Sequence, residues 1–413
     1  MRCASHASRT VARRFDYLVL GAGVAGTAAV ETLRRANATA RIALVTDEPH
    51  LMYYRPRLPG YVAGHVRLEQ ILERDLAWVR ARRLDLYQGV RVVALDADAH
   101  GLTLSDGRAL RYGKLLIATG ARPQRLGVPG EDLAGVHPLW SLDDAEAIRA
   151  DLALAPRAVV VGGGFIAAEV IEALTLRGLH VTHLIRGPRW FFPFTDAHAG
   201  AIVAEEEGAH GVDARFETRV AEIQGAGGRV QSLTTTGGER ISAGLVTTSL
   251  GARWELDWFA AAGGRVGRGA LTDVWLRTDL PDVWAAGDAA DPINPRTGTR
   301  TKTFNVYTAG LHGKMAALGM LGRPEQLQRL PWYGFRLLGL FFTFIGMVDT
   351  RDASLDSWIE EHAAEQSYTR VFIKDGRVVG ALLVNSPLSA PIRRYAESGA
   401  RLPADPGLVL GRR

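Results

Sequence analysis

The stretch "YLVLGAGVAGTAAVETL", Tyr17–Leu33, returns in altered form as "AVVVGGGFIAAEVIEAL", Ala158–Leu174. Each copy opens with a short run of β-branched and aliphatic residues, as expected of a strand buried on both faces. Glycines follow at fixed offsets: Gly21, Gly23 and Gly26 in the first copy, Gly162, Gly164 and then Ala167 in the second. An alanine-rich helical pattern comes next. The first glycine permits a tight turn, and the second lets the backbone approach a pyrophosphate. The third position, Gly or Ala, lets helix and strand pack closely. The free N–H groups and partial positive charge of the helix N-terminus suit phosphate. The turns also contain Ala22, Val24 and Ala25 in the first copy, and Phe165 and Ile166 in the second. One such turn is common between a strand and a helix. Two in the same setting predict two dinucleotide sites in one chain.

Around this repeat, 413 residues predict two or three domains. A hydrophobic share of 47% and a charged share of 23% are ordinary for a soluble globular protein. The net charge is +5, but the basic residues are spread along the chain, so no nucleic-acid patch is read. A positive balance suits anionic nucleotides and acidic electron carriers. Cys3 is the only cysteine, which excludes a disulfide framework, a CxxC redox pair and a thiolate metal site. The 11 histidines form no HxxxH cluster, so no metal centre is expected. The most apolar run, "LLGLFFTFIGMV" from Leu337, is shorter than the roughly 20 residues a bilayer requires and reads as a buried strand. "MRCASHASRTVARR" is arginine-rich and without an apolar core. It reads as a disordered bacterial leader over residues 1–12, with a transit peptide as the alternative.

Along the chain, "ARIALVTDEPH" is a second strand ending in Asp47 and Glu48. These acids lie about two dozen residues beyond Gly21, near the usual distance of the acid that holds an adenosine ribose. A hairpin is predicted at Asp106-Gly107, leading into a buried strand, Leu115–Ala118, and the loop "TGARP". "WSLDDAEAIRADLA" reads as a helix before the second glycine turn. Further hairpins are expected at Gly237-Gly238 and Asp375-Gly376, and "LPDVWAAGDAA" is a strand ending before Asp288. A helix from about Thr308 to Leu321 follows.

Glycine turn, acid after the second strand, "ATGARP", second glycine turn with Glu169, then "VWAAGDAA": this order resembles the FAD-dependent pyridine nucleotide oxidoreductases with two dinucleotide-binding domains. "DEPHLMYYRPRLPGYVAG" resembles the branch that lacks a redox-active disulfide. That branch holds the rubredoxin and ferredoxin reductases, nitrite reductase flavoproteins and apoptosis-inducing factor. The resemblance implies an α/β fold with two Rossmann-like domains and a C-terminal α+β domain. The FAD domain would be residues 13–124 and 250–328, with the NAD(P) domain, 125–249, inserted and the last domain at 329–413.

Carried onto matching positions, the resemblance gives the first turn, Gly21 to Gly26, to the FAD pyrophosphate, and Asp47 or Glu48 to its ribose. Arg55 and Pro56 would lie along the cofactor, Val92 would meet the adenine through its backbone, and Ala118, Thr119, Gly120 and Arg122 would line the site. Gly251, Gly287, Asp288 and Tyr307 would complete it, with Asp288 on the ribityl chain. The helix starting near Tyr307 would aim its dipole at the flavin pyrimidine ring.

Two departures stand out. In the family resembled, close relatives often carry a Lys that pairs with the glutamate of the second motif, though some rubredoxin-reductase-like sequences lack it; here that position is Gly60, and Glu169, the expected catalytic residue, lacks its usual partner. Arg57 is a possible substitute. In the second module Ile185, followed by Arg186 and Arg189, stands where an NAD-specific site usually has an acid. Guanidinium groups there suit a 2′-phosphate, which leans the reading toward NADPH or dual use.

The function expected is transfer of a hydride from NAD(P)H to FAD and of electrons onward to a small iron protein, rubredoxin or ferredoxin. The alternatives are an NAD(P)H oxidase or small-molecule (quinone) reductase, and, of a different class, a redox-responsive interaction module. A cytoplasmic monomer or homodimer is expected.

Overall fold

The computed structural model describes residues 12–295, 298–300, 304–326, 330–346, 348–362 and 365–410. The leader read at residues 1–12 lies outside the described residues, save for Ala12. The chain forms two compact units, each assembled from discontinuous stretches. One draws on Met1–Tyr53, Leu72–Arg122 and Arg253–Gln328, the other on Tyr54–Ile71, Pro123–Ala252 and Arg329–Arg413.

The first unit is built on the strand Arg13–Leu20, whose residues Leu18 to Leu20 are fully buried. It pairs in parallel with Ile42–Thr46 on one side and with Ala109–Ile117 on the other. Leu84–Gln88 extends the sheet beyond Ile42–Thr46. The strand Ala109–Ile117 serves two neighbours. Its first half pairs antiparallel with Gly101–Leu104 across the Asp106-Gly107 turn, where Gly107 has a φ of 85°. Its second half pairs in parallel with Val283–Ala285. The helix Val24–Ala36 leaves the first glycine turn and packs on the helix Val306–Met320. The two meet through Ala25 and Gly313, which approach so closely that a Cβ on Gly313 would stand 2.0 Å from the Ala25 carbonyl oxygen.

The second unit repeats the device. Five parallel strands lie in the order Asp213–Arg215, His180–Leu184, Arg157–Val161, Leu245–Thr248, Val136–Pro138. The helix Phe165–Leu176 follows the second glycine turn. The helix Leu142–Leu152 precedes it, started by a capping box in which Ser141 and Asp144 satisfy each other's backbone N–H. Residues Val220–Ser242 form a three-stranded antiparallel meander, with its second hairpin at Gly237-Gly238.

The same unit contains a five-stranded antiparallel sheet from the last part of the chain, in the order Trp332–Leu337, Leu340–Ile345, Arg377–Val384, Ser367–Lys374, Asp356–His362. The apolar run from Leu337 is not one strand. It turns at Leu338-Gly339, where Leu338 takes a positive φ of 54°, and then forms the buried strand Leu340–Ile345. No described helix is long and apolar enough to cross a membrane. Aromatic rings join this sheet to the parallel one. Trp190, fully buried, packs on Phe335 and Phe342 at centroid distances of 5.4 and 5.1 Å. Phe165 lies 4.2 Å from Phe191 and 4.7 Å from Phe335.

Candidate functional site: two glycine turns

The first turn meets the requirements set by its spacing. Gly21 has a φ of 103°, and a Cβ there would lie 2.1 Å from the Ala118 carbonyl oxygen. No side chain fits. Gly26 is equally confined, since its Cβ would lie 1.9 Å from the Gly21 carbonyl oxygen. Gly23 differs: within 4 Å of its Cβ direction there is nothing. It opens the helix Val24–Ala36 with its backbone bare to a ligand, and no side chain caps the N–H groups behind it. A cradle a side chain would fill, at an uncapped helix N-terminus, fits a pyrophosphate.

Around this turn the first unit gathers several expected residues. Gly287, with a φ of 64°, approaches Ala25, and a Cβ on it would be 3.1 Å from the Ala25 Cβ. Asp288 follows, its backbone carbonyl accepting from Trp254 Nε1 at 2.6 Å. The helix Val306–Met320 starts beside Gly287–Ala289, capped by Asn305, whose side chain accepts from Thr308 N at 3.0 Å. Tyr307 on its first turn is exposed. The backbone N–H of Ala118 donates to Leu20, and Gly120, at a φ of 68°, and exposed Thr119 continue the loop. Asp47 and Glu48 stand just past the strand Ile42–Thr46, as read from the sequence. Asp47 accepts a hydrogen bond from Arg122, and Glu48 Oε2 accepts one from Tyr53 Oη at 2.8 Å. Val92 begins the strand Val92–Asp96 and pairs with Leu104, with a register shift immediately after it.

Arg55 and Pro56 belong to the other unit. They form a short 3-10 turn, and the Arg55 guanidinium donates to the Trp140 carbonyl. The helix behind them, Leu58–Ala63, rests on the helices Leu142–Leu152 and Phe165–Leu176. Tyr61 donates to Glu146, and Arg149 lies 4.0 Å over the Tyr61 ring. At Gly60 a Cβ would meet Val66 Cγ2 at 2.7 Å and His65 Nε2 at 2.9 Å. The place a lysine stem would take there is filled by these two side chains. Arg57 does not pair with Glu169; its guanidinium donates to the Gln70 carbonyl.

The second turn has the same anatomy. Gly162 has a φ of 132°, and a Cβ on it would lie 2.2 Å from the Ser249 carbonyl oxygen. Gly164 is freer, with only the Phe191 ring at 3.8 Å, and it too opens an uncapped helix. Ile166 follows on the first turn, and Ala167 is fully buried. Phe165 is engaged by the aromatic rings described above. Gly251, expected from the sequence to complete the FAD site, belongs to this second unit; it has a φ of 97° with open space at its Cβ, and its carbonyl accepts from Gln124 N at 2.9 Å.

Glu169, on the same helix, has no hydrogen bond or ion pair among the described residues. Burial pushes its carboxyl up to about 7, with Glu172 one turn on adding repulsion. Of the two arginines past the strand His180–Leu184, Arg189 is tied down: its Nε donates to the Thr195 carbonyl at 2.8 Å, and its guanidinium lies over Phe192. Arg186 is exposed, with no partner among the described residues. Ile185 between them and the strand is buried.

Sequence reading missed one pair. His183, inside the strand, bonds through Nε2 to the Gly162 carbonyl at 2.6 Å and through Nδ1 to Glu207 Oε1 at 2.8 Å. The only signal was a histidine beside the apolar end of the strand, in the sequence HVTHL. Among the described residues no group of three or more His, Cys, Asp or Glu could hold a metal ion.

A repeated βαβ device with two open glycine cradles defines a two-dinucleotide flavoprotein reductase. Residues 15–313 match the model of the pyridine nucleotide-disulphide oxidoreductase family, and the chain belongs to that family. It is an FAD-dependent NAD(P)H oxidoreductase. It is 33% identical over 329 residues to the biphenyl dioxygenase system ferredoxin–NAD(+) reductase component of Paraburkholderia xenovorans (strain LB400), covering 79% of this chain and 80% of that protein. It is 28% identical over 375 residues to a ferredoxin–NAD(P)(+) reductase of Sphingomonas sp, covering 90% of each. Among solved structures it resembles the covalent putidaredoxin reductase–putidaredoxin complex, with a TM-score of 0.88, 26% identity, and coverage of 96% of this chain and 95% of that one.

Proposed function

We propose that the protein passes electrons from NADPH, through FAD, to a small iron protein of the ferredoxin or rubredoxin kind in the cytoplasm. The observation that carries this reading is the pair of cradles, one in each unit, each with a locked first glycine and an open second one. In it the first unit is the FAD domain, and the second joins the NAD(P) domain, residues 125–249, to the C-terminal domain, residues 329–413. The backbone from Gly21 to Gly26 holds the FAD pyrophosphate. Asp47 or Glu48 takes the adenosine ribose, Val92 meets the adenine, and Asp288 holds the ribityl chain. Bound FAD supplies a centre that accepts electrons in pairs and releases them singly. The helix Val306–Met320 presents its N-terminal dipole to that centre, favouring negative charge there. The backbone from Gly162 to Ala167 holds the coenzyme pyrophosphate. Arg186, charged and unpaired among the described residues, takes the 2′-phosphate, with no acid at Ile185 to repel it. Glu169, on the coenzyme helix, holds a proton near neutral pH. Ferredoxin as acceptor is supported by the relatives' names.

Anaerobic titration of the purified protein tests the reading. Flavin absorbance near ~450 nm should bleach on stoichiometric NADPH, and more slowly at the same low concentration of NADH. Reoxidation by a ferredoxin or rubredoxin should outpace reoxidation by oxygen. A colourless protein that takes up no FAD overturns the reading. A flavin that only oxygen or quinones reoxidise overturns its last step.

A further inference from the structure

The two glycine turns are held differently, and the difference points to a residue with a task. In the first turn the Gly21 N–H donates to the Val45 carbonyl at 2.7 Å; in the second the Gly162 N–H donates to the Leu184 carbonyl at 3.0 Å. Leu184 is therefore the counterpart of Val45, and His183 the counterpart of Leu44. Both Leu44 and His183 are fully buried. Leu44 offers its turn nothing polar, whereas His183 reaches the Gly162 carbonyl.

The third motif position explains why. In the first turn a Cβ on Gly26 would lie 1.9 Å from the Gly21 carbonyl oxygen. Ala167 carries that Cβ, so the second turn cannot copy the first, and its carbonyl needs another place. His183 Nε2 supplies it. A carbonyl oxygen only accepts, so Nε2 carries a hydrogen. One further hydrogen lies between Nδ1 and Glu207 Oε1, 2.8 Å apart, and it keeps the ring in the orientation the turn requires. Glu207 is itself fully buried in the last turn of the helix Ala197–Ala209. Its Oε2 has no hydrogen-bond partner among the described residues. Such a pair is a poor way to stabilise a fold, because an apolar pair of the same volume does as well or better. The first module uses leucine at this point.

We propose that His183, oriented by Glu207, is a positioning residue for the coenzyme. It fixes the Gly162 carbonyl and so keeps the N–H groups at the head of the helix Phe165–Leu176 aimed at the coenzyme pyrophosphate. This rests on the reading of the second turn as the NAD(P) site.

The test uses the FAD-loaded enzyme and measures binding of NADP+ and, in parallel, NAD+ by calorimetry. It is combined with thermal melts and steady-state kinetics. His183→Leu installs the residue of the first module. It should weaken binding of both nucleotides at least ten-fold and raise KM by the same factor. The kcat at saturating coenzyme should change less than two-fold, and flavin content should stay complete. His183→Gln and Glu207→Gln, which keep a hydrogen bond at each point, should bind within about three-fold of wild type. Wild-type affinity in His183→Leu overturns the proposal. If that variant does not fold, a ten-fold loss in folded His183→Gln overturns it. Gly164→Glu separates the two claims. If it binds NADP+ normally, the second turn is not the coenzyme site and the functional reading falls. If it abolishes binding while His183→Leu does not, only the positioning role falls.

Discussion

Gly21 and Gly23 stand two residues apart under opposite demands. A methyl group on Gly21 would collide with the Ala118 carbonyl in a backbone region that suits glycine, while a side chain on Gly23 meets open space. Gly21→Ala should therefore cost about 2–4 kcal/mol of stability. Gly23→Asp should melt like the wild-type apoprotein and yet retain no FAD. Absorbance spectra and thermal melts of both variants check this contrast. Glu169 makes a prediction in pH. A carboxyl raised from 4.5 to about 7 binds its proton more tightly folded than unfolded. It therefore removes stability as pH rises from about 4.5 through 7. Glu169→Gln should match wild type at pH 5 and melt a few degrees higher at pH 8. Arg186→Ala should raise KM for NADPH about ten-fold, the worth of one charge-assisted contact, and leave KM for NADH unchanged. These residues are legible in the sequence because their roles are local: a glycine's offset from a strand end, or an arginine just past one. Gly60 was legible as a departure, but not His65 and Val66 folding over it. His183 was illegible because its partner, Glu207, reaches it only through the packing of a helix on a strand.

Helix against helix, the decisive contact is Gly313 on Ala25. It sets the distance between Val24–Ala36 and Val306–Met320, and so the spacing of two helix N-termini beside one cradle. Gly313→Ala, harmless in an isolated helix, should force these helices apart. It should lower the melting temperature by several degrees and release FAD on dilution, which flavin fluorescence would report. Most elements could be read from pattern. The hairpins at Asp106-Gly107, Gly237-Gly238 and Asp375-Gly376 and the Ser141 cap follow from turn and cap chemistry within a few residues. The apolar run from Leu337 could not be resolved, because unbroken hydrophobicity hides the turn at Leu338-Gly339. The burial of those residues against Trp190 depends on a turn far away in the chain, beyond the strand His180–Leu184.

For the molecule as a whole, that aromatic core lies within the one compact unit that holds both the last sheet and the second glycine turn. Phe335→Ala should cost about 3–5 kcal/mol and weaken NADP+ binding, though Phe335 lies far along the chain from Gly162. Melting and calorimetry on the same samples check both effects. The interleaved arrangement has a further consequence, one that concerns synthesis. The strand Ala109–Ile117 leaves the ribosome long before its neighbour Val283–Ala285 has been made. At ~5–20 residues per second the nascent chain holds that sheet edge open for on the order of ten seconds or more. An unpaired edge of Leu115, Leu116 and Ile117 invites the wrong strand. That exposure ends only when Val283–Ala285 has been made and docks on Leu115–Ile117.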